Sequence, residues 1–120
     1  MASFDALEAG DMLFIDSSHI LMPGSDVDLL LNRVMPRLPA GVLVHIHDIY
    51  LPFDYPPEWG WRNYNEQQGV APLLDTGAYA PVFASVWAER MLGDRLARSV
   101  VARLPRPAEA MPASLWLEKC

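Results

Sequence analysis

The chain has 120 residues, 52% of them apolar and 20% charged, with a formal net charge of −6. That length suits one domain with a modest core, and the apolar content excludes a disordered chain. The acidic balance argues against non-specific binding to nucleic acid or to an anionic membrane, both of which need a basic face.

No apolar run approaches the roughly 18 residues of a membrane span. Met1 to Glu8 carries neither a basic start nor an apolar stretch, so no signal peptide is expected there. The one cysteine, Cys120, excludes an internal disulfide, and a cytoplasmic protein is the default expectation.

Residues 1–10 read as a short lead-in. Gly10 and Asp11 then open a strand, Met12 to Ile15, whose unbroken apolar run has the composition of a strand buried on both faces. Asp16, Ser17, Ser18 and His19 end it. Pro23 and Gly24 mark a loop, and Ser25 is a good N-cap for a helix with Asp26 and Asp28 in its first turn. Val27, Leu30, Leu31, Val34, Met35 and Leu38 form its apolar stripe, and Pro36 should kink or end it.

A second strand, Val42 to His47, follows Gly41. Strand, helix and strand make a βαβ unit, which is right-handed and parallel in nearly all cases. Parallel pairing brings Asp16 and His19 beside His47 and Asp48 on one rim of the sheet, about one strand spacing of 4.8 Å apart. Open α/β sheets bind ligands at that rim. All three histidines of the chain, His19, His45 and His47, lie in these two stretches.

Residues 49–64 hold six of the twelve aromatic residues and three prolines. A loop of this length is usually functional, and it reads as a lid, as an aromatic minicore, or as both. Asn65 is placed to cap a helix answered by Gln68, which Gly69 and Pro72 should shorten. Tyr79 to Trp87 has strand composition, with Pro81 placed as on an edge strand. Ala88 to Leu104 reads as one helix, with Met91, Leu92, Leu96, Val100 and Val101 in register, and Ser114 to Lys119 as a last antiparallel strand.

The rim cluster carries the chemistry. Asp16 and Asp48 suit a hard cation such as Mg²⁺, and His19 or His47 suits a general base near neutral pH. The blander alternative is that each Asp only caps its loop. His45 lies one step deeper on the side of His47 and reads as a hydrogen-bonded core histidine. No Gly-x-Gly and no Gly-x-Ser-x-Gly occurs, so the chain has no dinucleotide fingerprint, phosphate loop or nucleophile elbow.

The runs Phe14 to His19, Gly24 to Val27, Met35 to Leu38, Gly41 to Ile49, Pro52 to Pro56, Trp59 and Asn65 to Gln67 follow one order and spacing. They resemble the C-terminal half of bacterial class I S-adenosylmethionine-dependent methyltransferases of the small-molecule or sugar-modifying kind. The resemblance covers residues 8–68 well, 79–87 loosely and 114–119 fairly. It implies an α/β fold, namely the fourth and fifth strands of a Rossmann-like sheet with flanking helices, then a hairpin of the last two strands. The glycine-rich, cofactor-binding half is expected to be missing.

The resemblance also implies that Asp16, Ser17 and Ser18 line the methyl-transfer site. Asp16 and Asp48 would then be metal or polar anchors, His19 or His47 the base, and Tyr55, Trp59 and Trp61 the wall around a small-molecule acceptor. The Met12 to Ile15 strand would become an exposed apolar edge, which predicts a homodimer paired through it. The leading expectation is thus a truncated methyltransferase with S-adenosylmethionine as cofactor and little activity alone. Two alternatives are a non-catalytic dimerisation module and a metal-dependent hydrolase-like site.

Overall fold

The computed structural model describes residues 3–120. Its frame is a four-stranded sheet built from β1 (Met12–Ile15), β2 (Leu43–His47), β3 (Tyr79–Ala84) and β4 (Ser114–Lys119), in the order β1-β2-β4-β3. β1 and β2 are parallel, and β4 runs antiparallel to both β2 and β3. The fold is therefore mixed α/β, with the parallel pair and the antiparallel last strand in the places expected. Pro81 lies on β3, which is an edge strand.

Alternation along the strands sorts the side chains to two faces. Leu13, Val44 and Leu117 share one register row, and Ile15, Ile46 and Leu115 the next. All six belong to or pack against a single hydrophobic core. The helical segment 26–37, called α1, covers them with buried Val27, Leu31, Val34 and Met35, and Leu38 just after it adds to the same core. Helix α2 (Glu66–Asp75) adds Val70.

Helix α1 starts as expected, with Ser25 Oγ accepting the Asp28 N–H. It widens to a π-turn at Leu30–Val34, tightens to a 3₁₀ turn at Met35–Arg37 around Pro36, and stops at extended Leu38. Pro36 cannot donate to the helical ladder, and Pro39 pushes the residue before it out of helical conformation.

The opposite face carries a second row: Phe14, His45, Trp116 and Phe83 stand in register across all four strands. His45 stacks on Trp116 with ring centroids 4.5 Å apart and meets Phe14 at 4.8 Å. Met12 and Phe14 are each 55% exposed. The composition of β1 suggested a strand covered on both faces. Met12 and Phe14 are instead open, and β1 stands at the edge of the sheet, as expected from the missing first half.

Several other expectations change. Helix α2 runs through Gly69 and Pro72 without a break. The Asn65 side chain does not cap it but clamps Leu21, accepting its N–H and donating to its carbonyl. The strand expected to reach Trp87 ends at Ala84, and the single helix expected over 88–104 is three pieces: α3 (Ser85–Met91), α4 (Gly93–Ala97) and a 3₁₀ turn, Val100–Arg103. Leu92 leaves helical geometry just before Gly93, a residue of weak helix propensity. Met91, Val100 and Val101 are exposed rather than core.

Candidate functional site

The site is the rim where β1 and β2 end. Two residues there, His19 (φ 59°) and Asp48 (φ 53°), adopt the left-handed backbone conformation. This is uncommon for residues with a side chain and recurs at functional sites. The turns fold both side chains back over the sheet end.

His19 is buried. Its Nδ1 lies 2.8 Å from Oε2 of Glu66, a carboxylate fully removed from solvent at the first position of α2. Ser17 Oγ donates to the other oxygen of Glu66 at 3.0 Å. The His19 carbonyl in turn accepts the N–H groups of Asn65 and Glu66, satisfying donors that a helix start leaves unpaired. Loop and helix thus lock to one another through both backbone and side chain.

With Nδ1 held by Glu66, His19 presents Nε2 to the rim. Asp16 Oδ1 lies 3.3 Å from it and Asp48 Oδ2 3.7 Å. His47 Nδ1 lies 3.0 Å from Asp48 Oδ1 and 3.9 Å from Asp16 Oδ1. Despite these distances, His47 Nδ1 has no aligned hydrogen bond among the described residues. Burial by itself lowers the His19 pKa. The hydrogen bond and charge of Glu66, with the charges of Asp48 and Asp16, outweigh it and hold the imidazole above the usual histidine value.

Donor atoms of Asp16, His19 and His47 all lie within 4.8 Å of one another. Two imidazole nitrogens and a carboxylate, with one imidazole oriented by a buried carboxylate, fit a divalent cation that accepts nitrogen ligands. They fit Mg²⁺, which favours oxygen ligands, less well. The rim thus joins the expected Asp16, His19, His47 and Asp48, and two imidazoles stand where a pair of carboxylates was expected to dominate.

Of the residues expected to line a cofactor, Asp16 has its side chain 55% exposed. The Ser17 hydroxyl is committed to Glu66, and the Ser18 hydroxyl and N–H are committed to Asp26. No Gly-x-Gly turn stands beside these residues.

Residues 50–64 form the aromatic minicore. Tyr50, Tyr55, Trp59 and Tyr64 meet mostly edge to face with centroids 5.2–6.3 Å apart. Gln67 anchors it, accepting the Tyr50 N–H and donating to the Phe53 carbonyl. Tyr64 reaches the site, with its ring 4.6 Å from that of His19. Arg62 lies over Trp59 at 4.3 Å, and its Nη1 is 3.9 Å from Asp48 Oδ2. Trp61 is 77% exposed, and Tyr55 and Trp59 are half-buried in the minicore.

His45 lies on the side of His47, as expected, but is stacked rather than hydrogen-bonded: its Nε2 is buried and has no partner among the described residues. Burial, then the charge of His47, lowers its pKa. The residues that sequence reasoning missed are Glu66, Tyr64 and Arg62. Glu66 stands beside the Asn65 read as a cap, where an acid in a first helical turn is ordinary and gave no signal.

No protein-family model, curated protein or solved structure matches the chain.

Proposed function

We propose that the rim is the acid–base wall of a methyl-transfer site acting on a small-molecule acceptor. The observation that carries this reading is the His19–Glu66 pair with Nε2 left facing the rim. Glu66 accepts a hydrogen bond from Nδ1–H, fixes the ring and stabilises the imidazolium. Nε2 is then the atom that removes a proton from an acceptor hydroxyl or amine. Asp16 is exposed beside it to hold the acceptor, and Tyr64 closes one side of the ring. S-adenosylmethionine, when bound, would supply the methyl group. The resemblance to the methyltransferase half and the order β1-β2-β4-β3 with its closing antiparallel pair both support the reading.

A second reading, a non-catalytic assembly module, rests on a separate observation. The chain exposes 7507 Å², against about 6,500 Å² for a compact monomer of this mass. The difference is comparable to the roughly 800 Å² that each partner buries in a standard interface. The β1 edge and the Phe14 row are contiguous surfaces for such a contact, and pairing two copies of β1 antiparallel would make a homodimer.

Titration of S-adenosylhomocysteine into the purified chain, with and without a divalent cation, separates the two. Saturable one-to-one binding that weakens in His19→Asn supports the methyl-transfer site. No binding up to millimolar ligand, together with a concentration-dependent dimer in sedimentation, supports the module.

A further inference from the structure

We propose that the apolar pocket between α2, β3 and α3 is a binding site for a hydrophobic organic cation. The cavity holds about 660 Å³ and is lined by residues that include Leu51, Leu74, Phe83, Trp87, Leu92 and Asp75. That volume lies within the roughly 300–1,000 Å³ of sites that take drug-sized ligands. None of the rim residues Asp16, His19, His47, Asp48 and Glu66 lines it, and the proposal is independent of the methyl-transfer reading.

The lining selects by charge. Its side chains offer two polar groups only, the Asp75 carboxylate and the Trp87 indole N–H, and none is cationic. Asp75 is the last residue of α2, a helix with no basic residue in its final turn. The carbonyl end of a helix carries negative partial charge, so an aspartate there is unfavourable until a cation arrives. Asp75 has no ion-pair partner among the described residues. Phe83 and Trp87, 46% and 40% exposed, add aromatic surfaces that attract cations. Carboxylate, helix end and ring faces all favour a positive head group, and the aliphatic wall favours an apolar body. An anion of the same shape would meet the Trp87 indole N–H and the first turn of α3, but also the Asp75 carboxylate.

The test is a calorimetric titration of the full chain at low ionic strength with three isosteres: phenylbutylamine, phenylbutanol and phenylbutyrate. The amine is expected to bind about five-fold more tightly than the alcohol, the carboxylate most weakly, and salt to narrow the gap. Asp75→Asn should narrow the gap between the amine and the alcohol at least about two-fold and leave the alcohol unchanged. In the NMR spectrum the indole N–H signal of Trp87 should shift on binding, and that of Trp61 should not. Equal affinity for the three ligands, an amine preference undiminished by Asp75→Asn, a stationary Trp87 signal, or no amine binding at millimolar concentration would each overturn the proposal.

Discussion

His19 Nδ1 and Glu66 Oε2 lie 2.8 Å apart although 47 positions separate them in the chain. This bond ties the loop after β1 to the first residue of α2 and sets the direction in which the imidazole faces. Glu66→Gln keeps the shape and removes the charge. The His19 pKa, followed by NMR, should fall from its raised value. Urea unfolding should show a loss of about 1–3 kcal/mol, the cost of weakening a buried charge-assisted bond. An unchanged His19 titration in this variant would sink the assignment of Glu66 as its orienting partner.

The two perturbed histidines make opposite demands on pH. The folded value of His19 lies above the ordinary one of about 6.5, so its stabilisation is complete below that pH and is lost as pH rises through the raised value. The folded value of His45 lies below it, so the unfolded chain binds the extra proton first and stability falls as pH drops below about 6.5. Thermal midpoints measured between about pH 5 and pH 8.5 should peak near 6.5. His19→Asn should flatten the alkaline limb and His45→Phe the acid limb.

Tyr79 is buried, and its hydroxyl donates to the Met35 carbonyl at 2.6 Å. The residue four positions after Met35 is Pro39, which has no N–H to offer that carbonyl. Burial pushes the phenol well above its usual pKa. Tyr79→Phe should cost about 1–2 kcal/mol in chemical denaturation and leave the fold intact by circular dichroism.

Replacing a glycine inside a helix by alanine ordinarily stabilises by about 1 kcal/mol. At Gly69 the added methyl would lie 2.6 Å from Leu31 Cδ1 and 3.0 Å from Leu21 Cδ2. Leu31 is a core residue of α1, so room is made only by shifting packed side chains. Gly69→Ala should therefore lose about 1 kcal/mol instead of gaining it. A more stable variant would mean that α1 and α2 sit farther apart.

The donor set of Asp16, His19 and His47 predicts a preference among metals. Zn²⁺ or Mn²⁺ should broaden or shift the His19 and His47 ring signals at concentrations where Mg²⁺ leaves them unchanged, and Asp16→Ala should weaken the effect at least about ten-fold. Equal responses to Mg²⁺ and Zn²⁺ would point to a carboxylate-only site.

Much of the parallel half of the fold was legible in the sequence. The stripe from Val27 to Leu38 has one helical reading, and the two glycine-led apolar runs fix β1 and β2. Their parallel pairing then places Asp16, His19, His47 and Asp48 together. Glu66 escaped because it joins the rim only through tertiary packing of α2, which no local spacing reports. The segment after Ala84 misled for another reason. Met91, Val100 and Val101 keep helical spacing, yet they face solvent, and periodicity cannot tell a stripe that is buried from one that is not. The exposure of Met12 and Phe14 was hidden too, because they look the same in a covered strand and an open one.

The wet apolar side chains at the two edges of the sheet have a thermal consequence. Unfolding changes heat capacity in proportion to the apolar surface newly wetted, about 12–15 cal/mol/K per residue in ordinary domains. Here Met12, Phe14 and Phe83 are already substantially wet in the native state. The heat-capacity change should fall below that range, and the stability curve should be broad and shallow, so that the isolated chain melts gradually and is little troubled by cold.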